Sequence, residues 1–222
     1  MKDKIKISEI FYSIQGEGIN AGIPSVFIRF FGCNLQCHFC DTKYAWNPTD
    51  TTYQELSTKE VVNKIMQFPL AKNLIFTGGE PALFQTAIRK IFKHLPKNQS
   101  FTLELETNGS IEIEDDFWDT INISPKLKNA GNLPYKIHAF DPNLTSKTWW
   151  KFVVEDKSDI PEILALQKKL TIPCSRILLM PLAKTKKEIE KNSPQIIEIC
   201  KKFGFRFCPR LHIFVYSDKK AV

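Results

Sequence analysis

Cys33-Asn34-Leu35-Gln36-Cys37-His38-Phe39-Cys40 puts three thiols within eight residues. Soft thiolates suit zinc, copper(I) or iron–sulfur clusters, and the number three discriminates among them. A structural zinc site takes a fourth Cys or His, whereas a four-iron cluster held by three thiolates keeps one iron open to another ligand. His38 lies between Cys37 and Cys40 in so short a loop that it would have difficulty closing a tetrahedron with its neighbours. Three buried small apolar residues are the bland alternative, but Gly32, Asn34, Gln36 and His38 deny the stretch any apolar periodicity.

Residues 25–31 read as a strand that delivers the chain into this loop. They carry a single charge, Arg29, and a charge inside such a strand needs a partner or a site. Upstream, residues 5–12 begin with polar–apolar alternation and read as an opening strand, followed by a turn at Gln15-Gly16-Glu17-Gly18. Downstream, the spacing predicts a helix over 58–68, with Ser57 or Thr58 as N-cap and Glu60 in its first turn. Further helices are expected at 81–95, 160–170 and 186–203, the last broken near Pro194. Strands are expected at 73–77, 101–106, 120–123, 150–154 and 176–180.

This β/α alternation predicts a mainly parallel sheet. A complete (β/α)₈ barrel uses about 250 residues, so roughly six units of ~30 residues fit the length left after the first strands. The expected fold is therefore α/β, a partial β/α barrel with an N-terminal strand extension. Residues 1–222 are expected to form one domain, with 1–24 as an extension on the substrate side. Residues 126–148 show little periodicity, contain Asn129, Gly131, Asn132 and Pro134, and read as a loop-rich insertion.

The 222 residues can bury a substantial core, and the 43% hydrophobic and 25% charged content is ordinary for a globular chain. Net charge is +7, but 31 basic residues are dispersed among 24 acidic ones. Lys184, Lys186 and Lys187 stand beside Glu188 and Glu190, a solvated helix face rather than a nucleic-acid track. The excess charge suits attraction of an anionic small substrate or a reduced flavoprotein. Cys174, Cys200 and Cys208 are scattered through apolar segments, which is not a disulfide framework and implies a reducing compartment. Residues 1–18 hold no long apolar run and no stretch approaches the ~18 residues of a membrane span, so a cytoplasmic protein is expected.

In parallel β/α folds, functional residues collect where strands end. Four polar motifs fall there in order: the cysteine loop, Thr77-Gly78-Gly79-Glu80-Pro81, Glu106-Thr107-Asn108-Gly109 and Ser124-Pro125-Lys126. Glycines let a sheet edge expose its backbone to a ligand, and Glu80 can accept hydrogen bonds from a cationic amino group.

The cysteine spacing, with an aromatic before the last Cys, and the Gly78-Gly79-Glu80-Pro81 segment resemble the radical S-adenosylmethionine (SAM) superfamily. That resemblance implies a 4Fe-4S cluster on Cys33, Cys37 and Cys40, whose open iron is chelated by the amino and carboxylate groups of SAM. An electron from the cluster then cleaves SAM to methionine and a 5′-deoxyadenosyl radical. It further implies that Gly78, Gly79 and Glu80 meet the methionine moiety, that Thr107, Asn108, Ser124 and Lys126 meet its carboxylate and ribose, and that Phe39 packs near the adenine.

Gln15-Gly16-Glu17-Gly18, Arg29 with Phe30-Phe31-Gly32, and Asp41-Thr42 extend the likeness to one family, the 7-carboxy-7-deazaguanine synthases, and it continues through Arg210-Leu211-His212. The implied reaction converts 6-carboxy-5,6,7,8-tetrahydropterin to 7-carboxy-7-deazaguanine with loss of ammonia, in queuosine and related deazapurine biosynthesis. The resemblance implies that Gln15, Gly16 and Glu17 match the pterin edge, that Arg29 pairs with its carboxylate, and that Thr42 is a ligand to Mg²⁺. His212, in a strand-like stretch, is a weaker candidate for a substrate contact, since a lone His there is as often structural; Arg210 reads both ways too. A homodimer and a flavodoxin or ferredoxin electron donor are implied as well. The Met180-Pro181 segment departs from the superfamily, which often has Gln before this Pro. Two rival readings share the cysteines. An activating enzyme for glycyl-radical proteins would not need the Gln15, Glu17 and Arg29 set, and a non-enzymatic iron–sulfur or zinc module would not need the SAM-like motifs.

Overall fold

The computed structural model of the chain describes residues 4–47, 49, 53–114, 116–132, 134–138, 142–217 and 219. Strand β1 (Lys4–Ile14) pairs antiparallel with β2 (Pro24–Phe30) and with β3 (Gln54–Ser57). From β2 onward all pairings are parallel, through β4 (Asn73–Gly78), β5 (Thr102–Thr107), β6 (Thr120–Ile123), β7 (Thr148–Val154), β8 (Ile177–Pro181) and β9 (Arg206–Phe207). The strand order is β3-β1-β2-β4-β5-β6-β7-β8-β9 in one sheet that does not close. This is the partial barrel expected, with two strands the sequence pattern does not reveal. β3 carries exposed Gln54 and Glu55, and β9 is two residues long.

Side chains alternate across a strand, and that alternation makes the site. Val26, Ile28 and Phe30 of β2, Leu74 and Phe76 of β4, Leu103 and Leu105 of β5, and Phe152 and Val154 of β7 enter the main core. Their neighbours Arg29, Thr77, Glu106 and Lys151 point to the opposite face and line a cavity. The ends of the sheet are drawn round that cavity: Gly18 N donates to Cys208 Sγ at 3.1 Å and Leu211 N to Gly16 O at 2.9 Å.

Helix α1 (Thr58–Ile65) starts at a capping box in which Ser57 accepts from Glu60 N and Glu60 accepts from Ser57 N. A 3₁₀ turn over Pro81–Phe84 precedes α2 (Gln85–His94), and α3 (Ile160–Leu170) falls where the spacing predicts. Helix α4 (Lys186–Phe203) runs through Pro194 without the expected break. Ile189, Ile196 and Cys200 bury one face along both halves, and that packing outweighs the one backbone bond lost. Among the described residues, the crossovers from β5 to β6 and from β6 to β7 hold no α-helix, so the regular six-unit pattern is interrupted there. Thr148, placed at the end of the expected insertion, opens β7; residues 133 and 139–141 of that insertion and 1–3 of the extension lie outside the described residues.

Candidate active site

The cysteine loop leaves β2 at Phe30 and is pinned by Gly32 N donating to Ala45 O at 2.7 Å. All six cysteines are free. Cys33, Cys37 and Cys40 stand along the wall of a cavity of about 500 Å³. No group of three or more His, Cys, Asp or Glu among the described residues is gathered tightly enough for a single metal ion, so the three thiols do not converge on one point. Burial pushes the Cys33 thiol up to about 11. The cavity also takes in Phe39, Thr42, Gly78, Gly79, Thr107, Asn108, Ser124 and Lys126, and across from them Gln15, Gly16, Glu17, Arg29 and His212.

Glu80 is the predicted site residue that is not on this wall. Its carboxylate is fully buried and accepts from Ala82 N at 2.9 Å, Thr107 Oγ1 at 2.7 Å and Asn108 N at 2.7 Å. A buried carboxylate must find donors within reach, and the start of the 3₁₀ turn and the end of β5 supply them; burial raises its pKa against those bonds. Glu80 therefore ties two strand ends together, leaving the glycines to face the cavity. A Cβ on Gly79 would stand 2.1 Å from Gly32 O, and one on Gly78 2.3 Å from Phe30 O, so only glycine lets β4 end this close to the cysteine loop.

The remaining cofactor-side residues form a linked rim. Asn108 Nδ2 donates to Asn34 Oδ1 at 3.1 Å, joining the end of β5 to the cysteine loop. Lys126 Nζ donates to Ser124 Oγ at 2.8 Å and, among the described residues, forms no ion pair, which leaves its charge available to an anionic group. Thr42 lies 3.6 Å from Cys40 through Oγ1 and Sγ.

The opposite wall is a network of charges. Lys151 on β7 is buried, with Nζ 2.6 Å from Glu17 Oε2 and 2.8 Å from Glu106 Oε2. Arg210 Nε reaches the other Glu17 oxygen at 3.1 Å, while its Nη groups donate to Ala183 O and Asp41. Burial alone would raise the Glu17 pKa, but Lys151 and Arg210 outweigh it and hold this carboxylate well below its usual range. For Glu106 burial wins and pushes the carboxyl up to about 7, with Lys151 opposing and Glu104 and Glu17 reinforcing. Burial would lower Lys151 too, yet the two carboxylates raise it, so it stays charged. His212 Nε2 lies 3.8 Å from Glu17 Oε1, and burial lowers its pKa towards the neutral ring. His212 sits on a helix, α5 (Leu211–Tyr216), and not on the expected strand. Phe214 N and Ser217 N donate to Arg210 O and Ile213 O, so the stretch satisfies its donors within itself despite its β-prone residues.

Gln15 and Arg29 are less free than expected. Gln15 is 3% exposed, donates from Nε2 to Glu104 Oε1 at 2.6 Å, and accepts from Glu17 N at 3.3 Å. Arg29 Nε donates to Glu9 Oε1 at 2.6 Å, an oxygen shared with Tyr44 OH at 2.8 Å; its two Nη groups have no hydrogen-bond partner among the described residues. Lys151 is a site residue that motif reading missed, and Glu106 and Asp41 stood in the motifs without an assigned role. Lys151 had the signal that marked Arg29, a lone charge in an apolar strand.

Residues 27–192 match the radical SAM superfamily. The chain is 34% identical over 231 residues to the 7-carboxy-7-deazaguanine synthase of Pyrobaculum aerophilum, covering 98% of this chain and 97% of that protein. It is 33% identical to the enzyme of the same name from Hyperthermus butylicus, covering 95% and 92%. The chain belongs to the 7-carboxy-7-deazaguanine synthase family. Its fold is shared with QueE from Escherichia coli, with a TM-score of 0.71 at 24% identity over 94% of this chain and 95% of that one. As a radical SAM family member, this synthase relative is an enzyme that uses a 4Fe-4S cluster and SAM. The donor set fits: three free thiols on one cavity wall, each accepting an N–H bond, beside a glycine-lined strand end and a lysine that forms no ion pair among the described residues.

Proposed function

We propose that the chain converts 6-carboxy-5,6,7,8-tetrahydropterin to 7-carboxy-7-deazaguanine and ammonia, a ring contraction that expels one nitrogen. The observation that carries this reading is that a single cavity joins the three-thiol wall to the Glu17–Lys151–Arg210 wall. The cluster and SAM supply the radical chemistry when bound; the chain's own groups hold, orient and shield. Cys33, Cys37 and Cys40 hold the cluster. The Gly78 and Gly79 backbone, Thr107, Asn108, Ser124 and Lys126 hold SAM, with Lys126 meeting its carboxylate and Phe39 its adenine. Glu80 acts at one remove, by fixing the Thr107 and Asn108 end of β5.

On the other wall, ionised Glu17 accepts from the N–H edge of the pterin, and the Arg29 Nη groups pair with the substrate carboxylate. Gln15, Gly16 and His212 shape that subsite. Glu106 titrates near neutrality, so it can hold or release a proton beside Lys151 as ligand charge changes. Thr42, with a hard hydroxyl oxygen at the cavity, is the Mg²⁺ ligand.

We further propose a cytoplasmic homodimer reduced by a flavodoxin or ferredoxin. Six free thiols suit a reducing compartment, and among the described residues no helix is long and apolar enough to cross a membrane. Exposed Ile14, Val215 and Tyr216 give an apolar patch beside α5 for a second copy, which sedimentation would detect. Anaerobic reconstitution with iron and sulfide, then reductant, SAM, Mg²⁺ and the carboxytetrahydropterin, tests the activity: 7-carboxy-7-deazaguanine is expected. SAM cleavage without that product would overturn the substrate assignment.

A further inference from the structure

Each of the three thiols accepts a bond from an N–H group, and two of the donors lie outside the cysteine motif. Leu35 N donates to Cys33 Sγ at 3.4 Å, Asn132 Nδ2 to Cys37 Sγ at 3.0 Å, and Trp46 Nε1 to Cys40 Sγ at 3.3 Å. The first donor is backbone; the other two are side chains from separate segments, aimed at different sulfurs.

Both side chains are held in place. Trp46 closes the 3₁₀ turn over Lys43–Ala45, where Ala45 N donates to Thr42 O at 2.8 Å and Trp46 N to Lys43 O at 3.1 Å. Ala45 is fully buried and its carbonyl takes the Gly32 N–H, so the turn is fastened to the root of the cysteine loop. Asn132 Oδ1 accepts from Gln36 N at 2.9 Å. A backbone N–H can only donate, so the amide oxygen must face Gln36 and the amide nitrogen must face Cys37. The preceding residues fasten this segment as well. His38 N donates to Ala130 O at 3.1 Å, and Gly131 lies so close that a Cβ there would stand 2.8 Å from His38 Nδ1. Residues 130–132 after β6 are thus fastened against the cysteine loop.

We propose that Trp46 and Asn132 are positioning residues that set the reduction potential of a cluster bound at Cys33, Cys37 and Cys40; this rests on the cluster reading above. Hydrogen bonds to the sulfurs of an iron–sulfur cluster tune its potential. An N–H dipole stabilises the more negative, reduced cluster more than the oxidised one, so each donor makes reduction easier. Neither residue has to touch SAM or substrate for this.

The test uses the reconstituted wild-type chain, Trp46→Phe and Asn132→Asp. Trp46→Phe removes the N–H and keeps an aromatic ring; Asn132→Asp keeps the oxygen that accepts from Gln36 N and loses the donor to Cys37. Iron and sulfide per chain are measured, and the cluster is then titrated with dithionite and mediators under argon, its reduced form counted by electron paramagnetic resonance. At the wild-type midpoint, the ratio of reduced to oxidised cluster is expected to fall several-fold in Trp46→Phe. The fall should reach about tenfold in Asn132→Asp, equivalent to about 59 mV for a one-electron couple. Because only assembled clusters are counted, partial occupancy does not affect the ratio, and Trp46→Phe decides the matter should Asn132→Asp assemble no cluster. A midpoint unmoved or shifted to more positive values, with a full cluster, overturns the inference and leaves the cluster reading standing. A wild-type chain that takes up no cluster overturns both.

Discussion

The two walls of the cavity solve opposite electrostatic problems. Around Cys33, Cys37 and Cys40 the contacts are neutral, N–H groups from Leu35, Asn132 and Trp46 and the Thr42 hydroxyl, and no cation is bonded to the sulfurs among the described residues. Across the cavity, Glu17, Glu106, Lys151 and Arg210 are packed into mutual ion pairs, and Arg210 also pairs with Asp41 next to Cys40. The thiol wall is arranged for a charged group to be added, whereas the acid–base wall is already compensated within the chain. Loss of a residue should therefore cost cofactor on one side and folding stability on the other.

The largest effect is expected from Cys37→Ala, which should abolish cluster uptake and SAM cleavage, with denaturant stability of the apo chain changed much less. Iron analysis and product chromatography check it; retained cleavage would break the contrast. Lys151→Met comes next, since it leaves Glu17 and Glu106 buried beside each other without their shared cation. Breaking a buried ion pair costs about 3–5 kcal/mol, read as a lowered urea midpoint, and adding Glu106→Gln should restore part of it. Arg29→Ala should raise the KM for the pterin by about tenfold or more, about 1.4 kcal/mol of binding, while SAM cleavage continues uncoupled from product.

A smaller effect concerns pH. The Glu106 carboxyl is raised in the folded chain from 4.5 to about 7. The folded state therefore holds this proton where the unfolded state has released it, and the associated stability is present below about pH 4.5 and lost as pH rises through 7. Glu17 has the opposite sign: its folded pKa is depressed, so its contribution is present above pH 4.5 and lost on acidification. Urea midpoints should thus decline between about pH 4.5 and 7, and Glu106→Gln should flatten that decline. The smallest change is assigned to Thr42→Ala, which should weaken the activation by Mg²⁺ several-fold; an unchanged Mg²⁺ response would remove Thr42 from the metal site.

Much of this was legible in the chain itself, because the legible parts are local. Strand alternation and terminal motifs placed the cysteine loop, Gly78-Gly79, Thr107-Asn108 and Ser124-Lys126 on one rim, and parallel β/α connections carried them to the same end of the sheet. What stayed hidden depends on contacts across the fold. Glu80 reads as a ligand-facing carboxylate until the donors of Ala82, Thr107 and Asn108 are seen around it. Arg210 was ambiguous because its partners, Glu17 and Asp41, stand 193 and 169 residues away. Trp46 and Asn132 belong to no motif and matter only through the sulfurs they reach. The helix at His212 was missed for a different reason: Leu211 to Tyr216 are rich in β-forming residues, yet the stretch satisfies backbone donors locally, Phe214 N on Arg210 O and Ser217 N on Ile213 O.

The clasp between Arg210, Glu17 and Asp41 also orders events in time. Contacts so distant in sequence form late, since nearly the whole chain must be collected before they can close. During synthesis the three cysteines emerge well before the arginine that fastens Asp41 beside them. The bonds local to the cysteine loop can thus close before the far wall is sealed by Arg210.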